Sequence, residues 1–326
     1  MALSGSAPTH QPNPMTVDAT AASLAGRRRR RHPGRPVWME EPHPLVKIGK
    51  VLVLAFIVTV MLFPLVYVVA VSFSSAKDVL SGGLTLFPRN PTLDAYRAIF
   101  RGGVVVRALQ VSALLTLVGT AAQMLVTTTM AYGLSRPGVA GSKAALYIAL
   151  GALLFYPGII PSYLLVKELN LLNTYGALIL PGLVGAFNLI VVRNFFMNIP
   201  QDLMDVARVD GANDLQIFLR IVLPLSKAVL AVVALFYAVG TWIQWFTAIL
   251  YLNDSSKWPI QVVLRQYVLQ GSALASAAQF NPNQPPPPAQ TIQMAIVVVA
   301  TVPILLVYPF LQKYFTRGVL TGAIKG

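Results

Sequence analysis

The chain has no cysteine, three histidines, and only 11 acidic residues against 25 basic ones in 326. Without thiols there is neither a disulfide framework nor a thiolate nucleophile. His10, His32 and His43 all fall within the first 43 residues, so the remainder of the chain offers no histidine to a metal site. Charged residues make up 11% of the chain, against roughly 25% in soluble domains. Hydrophobic residues make up 56%, and the mean hydropathy is +0.65. This balance excludes an ordinary water-soluble domain and predicts an all-α integral membrane protein. A net charge of +14 would point to nucleic acid in a soluble protein. Here the arginines at 27–31 supply five of those charges and most others flank apolar runs, where they read as topology signals rather than as a nucleic-acid surface.

Two further absences bear on the energy source. No nucleotide-binding loop is present: the nearest decoy, GVLTGAIK at 318–325, lacks the four-residue gap and the Gly-Lys-Ser/Thr end that cradle phosphate. No acidic residue stands inside any long apolar run, and proton-coupled carriers need such groups. Paired carboxylates or histidines are missing there too, which argues against an enzyme acting on lipid or polysaccharide. Any energy this chain uses must therefore come from another chain or from an ion gradient, and the missing intramembrane acids favour another chain; a self-sufficient channel or secondary carrier is the alternative.

What the chain does have is apolar length. Six runs approach or exceed the roughly 20 residues needed to cross a bilayer, at 50–73, 108–135, 144–166, 176–192, 228–252 and 291–311. The fourth is shortest and contains Pro181, Gly182, Gly185 and Asn188, a composition suited to a helix buried among others. Residues 1–44 lack apolar periodicity and are expected to form a disordered basic arm. The run after them is too long for a signal-peptide core, and the arginines are expected to fix topology or meet lipid headgroups. Six spans put both termini on one side. Lys and Arg number 17 in the segments then assigned to the cytoplasm and eight in the outer loops, so both termini are expected inside. The domain division expected is therefore arm 1–44, transmembrane domain 45–313 and cytoplasmic tail 314–326. The last outer loop carries NPNQPPPP at 281–288, expected to be a stiff polyproline connector.

Between the fourth and fifth runs lies DLMDVARVDGANDLQIFLRIVLP at 202–224, where charges of both signs gather. Leu203, Val206, Ala207 and Val209 predict one apolar side of a short helix, and Ile217, Leu219, Ile221 and Val222 open a second after Gly211. Gly211 is the expected joint, since glycine takes positive φ readily. Pro224 fits the first turn of the next spanning helix. Asp205-Val206-Ala207, then Asp210-Gly211-Ala212, then Ile221-Val222-Leu223-Pro224 after eight residues resembles the EAA loop of binding-protein-dependent ABC importer permeases. Asp205 and Val206 stand where that family has Glu and Ala.

Further stretches are similar to the carbohydrate branch of the same family, that of the maltose transporter's smaller permease and of alginate and other polysaccharide permeases. They are AYGLSR at 131–136, PSYLL at 161–165, LLNT at 171–174, Phe187-Asn188, RNFF at 193–196 and YPFLQKYFTRG at 308–318. The resemblance spans nearly all of 47–326. It implies the six-helix type I importer fold (MetI-like) in the inner membrane, with 202–224 as a coupling helix that enters an ATPase subunit. It further implies a second similar permease, two ATPase subunits carrying the ATP and magnesium, and an extracytoplasmic solute-binding protein. No cofactor is expected on this chain. The tail after Arg317 resembles tails that reach the ATPase interface; a disordered end is the other reading.

A solute path needs polar groups inside the spans. Tyr237, Thr241, Gln244 and Ala248 recur at i, i+4, i+7 and i+11 in the fifth run, giving one polar stripe with Trp245 on its flank. Amides and hydroxyls there either face a wet cavity or bond neighbouring helices, and aromatics beside them suit sugar rings. Trp242 points elsewhere on the wheel and reads as an interface anchor. Asn188, Tyr156 and Tyr163, and Gln293 are the secondary candidates. Pro157 and Pro161 around Gly158 predict a broken third helix, either a hinge or simple packing.

Overall fold

The computed structural model describes residues 44–83, 85–155, 157–270 and 287–323. The basic arm at 1–43, Tyr156 and most of the proline-rich connector lie outside the described residues, as do nearly all side chains beyond 307. Among the described residues there is no strand ladder, only an isolated bridge between Ser74 and Pro91. The chain divides into a unit ending at Val60 and a unit beginning at Met61. In the first, 44–60 is helical and exposed throughout. It opens α1 (Pro44–Ser72), whose buried residues are Ala70, Val71 and Ser72 at its far end. A helix apolar on all sides and exposed needs lipid or another chain around it.

In the second unit, α2 (Ala76–Leu80) and α3 (Asp94–Arg101) occupy the expected outer loop. The long α4 (Val104–Ser135) follows. Its 32 residues are about 48 Å long at 1.5 Å per residue, enough to cross a bilayer. α4 also organises the interior, because it contributes to all three apolar clusters in order along its length. Val105 and Ala108 pack with Ile260, Ile292 and Ile296. Val111 and Leu115 pack with Val166, Leu178 and Ala248, and Ala131 and Leu134 pack with Leu189, Phe196 and Ile217.

Three of the six expected spans are interrupted. Run 144–166 becomes α5 (Ser142–Leu154) and α6 (Ile159–Glu168), broken where Pro157 and Gly158 demanded it. Pro161 sits in the first turn of α6, where a missing N–H costs nothing. Run 176–192 becomes α7 (Gly176–Gly182) and α8 (Ala186–Met197), bent by 48°. Run 228–252 is not one helix either: α11 (Lys227–Trp242) stops, Ile243, Gln244 and Trp245 leave the helix, and α12 (Phe246–Tyr251) resumes. Between α8 and α11 lie α9 (Gln201–Val209) and α10 (Asp214–Leu225). After α13 (Ile260–Gln270) the last element is α14 (Ala289–Ala323), which holds Pro303 and Pro309 within it. Among the described residues, α1, α4 and the first part of α14 (Ala289–Val307) are the single unbroken helices long and apolar enough to span.

Opposite the α9–α10 end, a polar network ties the turn after α6 to the segment after α12. Asn173, at φ +58°, donates its N–H to the Tyr251 carbonyl at 2.8 Å and accepts the Asp254 N–H on its side-chain oxygen at 3.1 Å. The Lys257 ammonium donates to the Asn173 carbonyl at 2.8 Å. This fixes LLNT as a turn, which asparagine enters more readily than most residues because its short amide tolerates positive φ.

Candidate functional site

The loop at 202–224 is built from two helix caps placed back to back. α9 ends in Asp210, and Gly211 follows at φ +82°. Its N–H donates to the Arg208 carbonyl at 3.0 Å, and the Ala212 N–H donates to the Ala207 carbonyl at 2.9 Å. That pair of bonds is a Schellman cap, closed by apolar contact between the residue two beyond the cap and the helix's last turn; Ala207 and Ala212 indeed pack on the same cluster. One residue later Asn213 caps α10. Its side-chain oxygen accepts the Gln216 N–H at 2.8 Å while the Gln216 side chain accepts the Asn213 N–H at 3.0 Å. Arg208 bridges the turn, 3.1 Å from Asp205 and 3.5 Å from Asp214. These are exposed pairs that orient more than they stabilise. No atom lies within 4 Å of where a Cβ on Gly211 would sit, so glycine is favoured there by its backbone conformation and not by crowding.

The side of α9 carrying Leu203, Val206 and Val209 is uncovered, at 48%, 62% and 88% exposure, while Met204 is buried and Ala207, placed with them by the sequence, packs on the interior cluster. Helical spacing identified a face but not what covers it. Pro224 does not open the next spanning helix. It lies near the end of α10, just after a π-helical turn over Phe218–Val222, and α11 starts beyond Ser226 after an 82° change of direction. The wide turn accommodates a residue that has no N–H to give to the turn before it. Within α10, Ile217 and Val222 are fully buried and Ile221 and Leu223 pack on the same cluster, whereas Leu219 is exposed.

The loop is fastened to the end of α4 by residues of the AYGLSR stretch. Tyr132 donates its hydroxyl to the Asp214 carbonyl at 3.0 Å, and its ring meets Phe218 at 4.7 Å. The Arg136 guanidinium lies 4.3 Å over that ring and contacts the Met204 sulfur and the Tyr132 oxygen. Sequence reasoning had used these residues only for their resemblance; their i, i+4 spacing on one helix face was the available signal.

Further along α11, Tyr237 is buried and closes a second polar knot. Its hydroxyl exchanges a hydrogen bond with Thr127 of α4 at 2.7 Å and accepts the Gly185 N–H at 3.0 Å. Gln123, one turn before Thr127, donates to the Gly182 carbonyl at 2.9 Å. Both contacts fall on the break between α7 and α8, so backbone groups released by the bend find partners. Asn188 is buried one turn on, its amide nitrogen 3.4 Å from where a Gly185 Cβ would stand. Thr116, Thr120, Gln123 and Thr127 therefore form a stripe on α4 at i, i+4, i+7 and i+11. The Thr116 and Thr120 hydroxyls and the Gln123 carbonyl oxygen have no partner among the described residues. This spacing within the second apolar run was the signal in the sequence that marked these residues.

The expected stripe of Tyr237, Thr241, Gln244 and Ala248 does not exist as one face, because the helix ends between its second and third members. Thr241 packs by its methyl against α4, 3.6 Å from where a Cβ of Gly119 would lie, and Ala248 is wholly buried. Gln244 lies in the break and bonds Thr247. The two indoles flanking the break are held in different places. Trp242, expected at an interface, is buried and donates to the Ala300 carbonyl of α14 at 3.0 Å, whereas Trp245 lies under the Arg265 guanidinium at 4.1 Å. Of the secondary candidates, Tyr163 stacks on Tyr251 with centroids 6.3 Å apart and Gln293 donates to the Tyr267 carbonyl at 3.1 Å. Among the described residues no three His, Asp or Glu side chains gather as a metal site.

An apolar helical bundle with an amphipathic loop turned at its end is the architecture of a membrane transport subunit. Residues 45–321 match the family described as the binding-protein-dependent transport system inner membrane component, and the chain belongs to that family. It is 49% identical over 263 residues to the polygalacturonan/rhamnogalacturonan transport system permease protein YtcP of Bacillus subtilis (strain 168), covering 81% of this chain and 92% of that protein. It is 45% identical over 279 residues to protein LplC of the same organism, covering 86% of this chain and 94% of LplC. Among solved structures it resembles a chain of a bacterial ABC transporter involved in the import of the acidic polysaccharide alginate, with TM-score 0.79 and 28% identity over 85% of this chain and 100% of that one.

Proposed function

We propose that this chain is one of two permease halves of an ATP-driven importer of acidic oligosaccharides, and that α9 and α10 are its coupling element. The observation that carries the reading is the apolar side of α9, Leu203, Val206 and Val209, left uncovered beside two rigid caps. Exposed apolar side chains on a short, well-fixed helix suit insertion into a groove on a partner. The partner is an ATPase subunit, which holds the nucleotide and magnesium. A second permease, a second ATPase and an extracytoplasmic binding protein complete the assembly, with 202–224 and both termini on the cytoplasmic side. The excess of Lys and Arg in those segments supports that orientation, and the printed substrates of the relatives support the sugar class.

Motion follows from the contacts. Closure of the ATPases displaces α9 and α10, whose interior side is packed into the cluster of Leu189, Phe196 and Val233. The 82° turn at Ser226 converts sideways displacement of α10 into movement of α11. Tyr237 then carries it to α4 and to the bend between α7 and α8. Tyr237, Asn188 and Thr241, expected on the solute path, are engaged in internal packing, so the hydrogen-bonding and stacking groups for a sugar fall to Gln244 and Trp245 at the α11–α12 break. Sugar binding costs no covalent chemistry on this chain.

Reconstitution with the partner subunits tests the reading. Val209→Asp, at an exposed position that no internal contact requires, abolishes substrate-stimulated ATP hydrolysis while membrane insertion and permease pairing persist. Unchanged stimulation removes the coupling assignment.

A further inference from the structure

Beside the coupling element the structure holds a cavity of about 310 Å³ lined by three cations, Arg136, Lys143 and Arg193, and by no carboxylate. Arg136 is the anchor. Its guanidinium is enclosed by Tyr132 and Met204, and its Nε is buried without a partner among the described residues. Arg193, also on the lining, donates from Nε to the Leu134 carbonyl at 3.0 Å and from Nη1 to the Asn194 side-chain oxygen at 3.5 Å, and neither partner is an anion. Lys143, exposed at the start of α5, has no ion pair among the described residues. Three positive charges converging without a counter-charge repel one another, and an anion between them relieves that repulsion.

The remaining wall decides which anion. Leu134, Phe196 and Met197 line the same cavity, and from Lys143 an apolar face runs along α5 through Tyr147, 70% exposed, to Leu154, 75% exposed. Lys143, Tyr147 and Leu154 stand at i, i+4 and i+11, one side of the helix. A polar, cationic mouth continuous with an exposed apolar strip at the end of spanning helices fits an amphiphile. The geometry points to a binding site for the phosphodiester headgroup of an anionic phospholipid, with its acyl chains along α5. Met204 of α9 and Arg136 are shared between this cavity and the coupling element, so a bound headgroup braces the loop from the lipid side. The site depends on neither the transported solute nor the ATPase, and its loss would leave the transport reading standing.

Native mass spectrometry of the full-length protein, titrated with dioleoyl phosphatidylglycerol, phosphatidylcholine or inorganic phosphate, tests it. Phosphatidylglycerol adducts should form at least tenfold more readily than phosphatidylcholine adducts. Lys143→Gln, an exposed position, and Arg136→Gln should each weaken them about fivefold, while Lys227→Gln, a cation outside the cavity, should not. Equal binding of phosphatidylcholine, or adducts indifferent to Lys143→Gln, overturns the site. Displacement of the lipid by millimolar inorganic phosphate reassigns it to a free anion and overturns the lipid claim.

Discussion

The phenol oxygen of Tyr237 on α11 accepts the backbone N–H of Gly185 at 3.0 Å, so the helix that follows α10 directly grips the bend between α7 and α8. A Cβ on Gly185 would sit 3.0 Å from that oxygen and 3.2 Å from the neighbouring ring carbon. Any side chain at 185 would have to push the Tyr237 ring aside.

Tyr237→Phe leaves the Gly185 amide and the Thr127 hydroxyl buried with fewer partners, a loss of about 1–3 kcal/mol. Gly185→Ala overpacks the same point and costs about 1–3 kcal/mol. Thermal unfolding of the purified protein in detergent reads both, and Gly185→Ala should fall below wild type.

Gly211→Val should damage coupling and Gly211→Asn should be tolerated. Both side chains find open space, so the difference lies in the positive φ, which costs roughly 1–2 kcal/mol for most residues and less for asparagine. Substrate-stimulated ATP hydrolysis in the reconstituted complex separates the two. Asn213→Ala, which removes the cap of α10, should weaken the element by about 1 kcal/mol and lower the stimulated rate without touching the basal one.

Trp245→Ala should reduce sugar uptake into proteoliposomes several-fold with basal ATP hydrolysis preserved, and Gln244→Ala should do so more mildly. Arg265→Gln removes a cation over a half-buried ring, a contact of about 1 kcal/mol, and should reduce uptake least. Equal losses of uptake and assembly in all three would assign the break to packing.

The Asp254 carboxyl is held below its ordinary pKa by hydrogen bonds from Ser256, with Lys257 and Arg107 adding to the effect. A lowered folded-state pKa contributes stability that is complete above the unfolded value and lost as pH falls through the folded one. Unfolding temperatures measured down through about pH 4 should therefore drop more steeply for the wild type than for Asp254→Asn, in which this linkage is absent.

Much of the 202–224 loop was legible because its signals are local. Asp210-Gly211-Ala212 followed by Asn213 and Gln216 specifies a left-handed cap and a capping box through bonds spanning three to five residues. The third-span break was legible for the same reason, since Pro157, Gly158 and Pro161 act on their own backbone. The polar stripe of the fifth run failed because nothing local ends α11 at Trp242. One indole bonds the Ala300 carbonyl of α14 and the other lies under Arg265 of α13, and neither partner is near in sequence. The same blindness hid Thr127 and Gln123, whose partners lie 110 and 59 residues away.

The sequence by itself determined that this chain is a helical membrane protein with an amphipathic, glycine-jointed loop between its fourth and fifth apolar runs. Composition, periodicity and capping chemistry are properties of short segments and survive without a fold. Only the tertiary structure decided that the apolar side of α9 stays uncovered, that three cations from α4, α5 and α8 meet around one cavity, and that Tyr237 joins α11 to the bend at Gly185. Each of those depends on distant segments competing for the same space, and that competition is settled by packing.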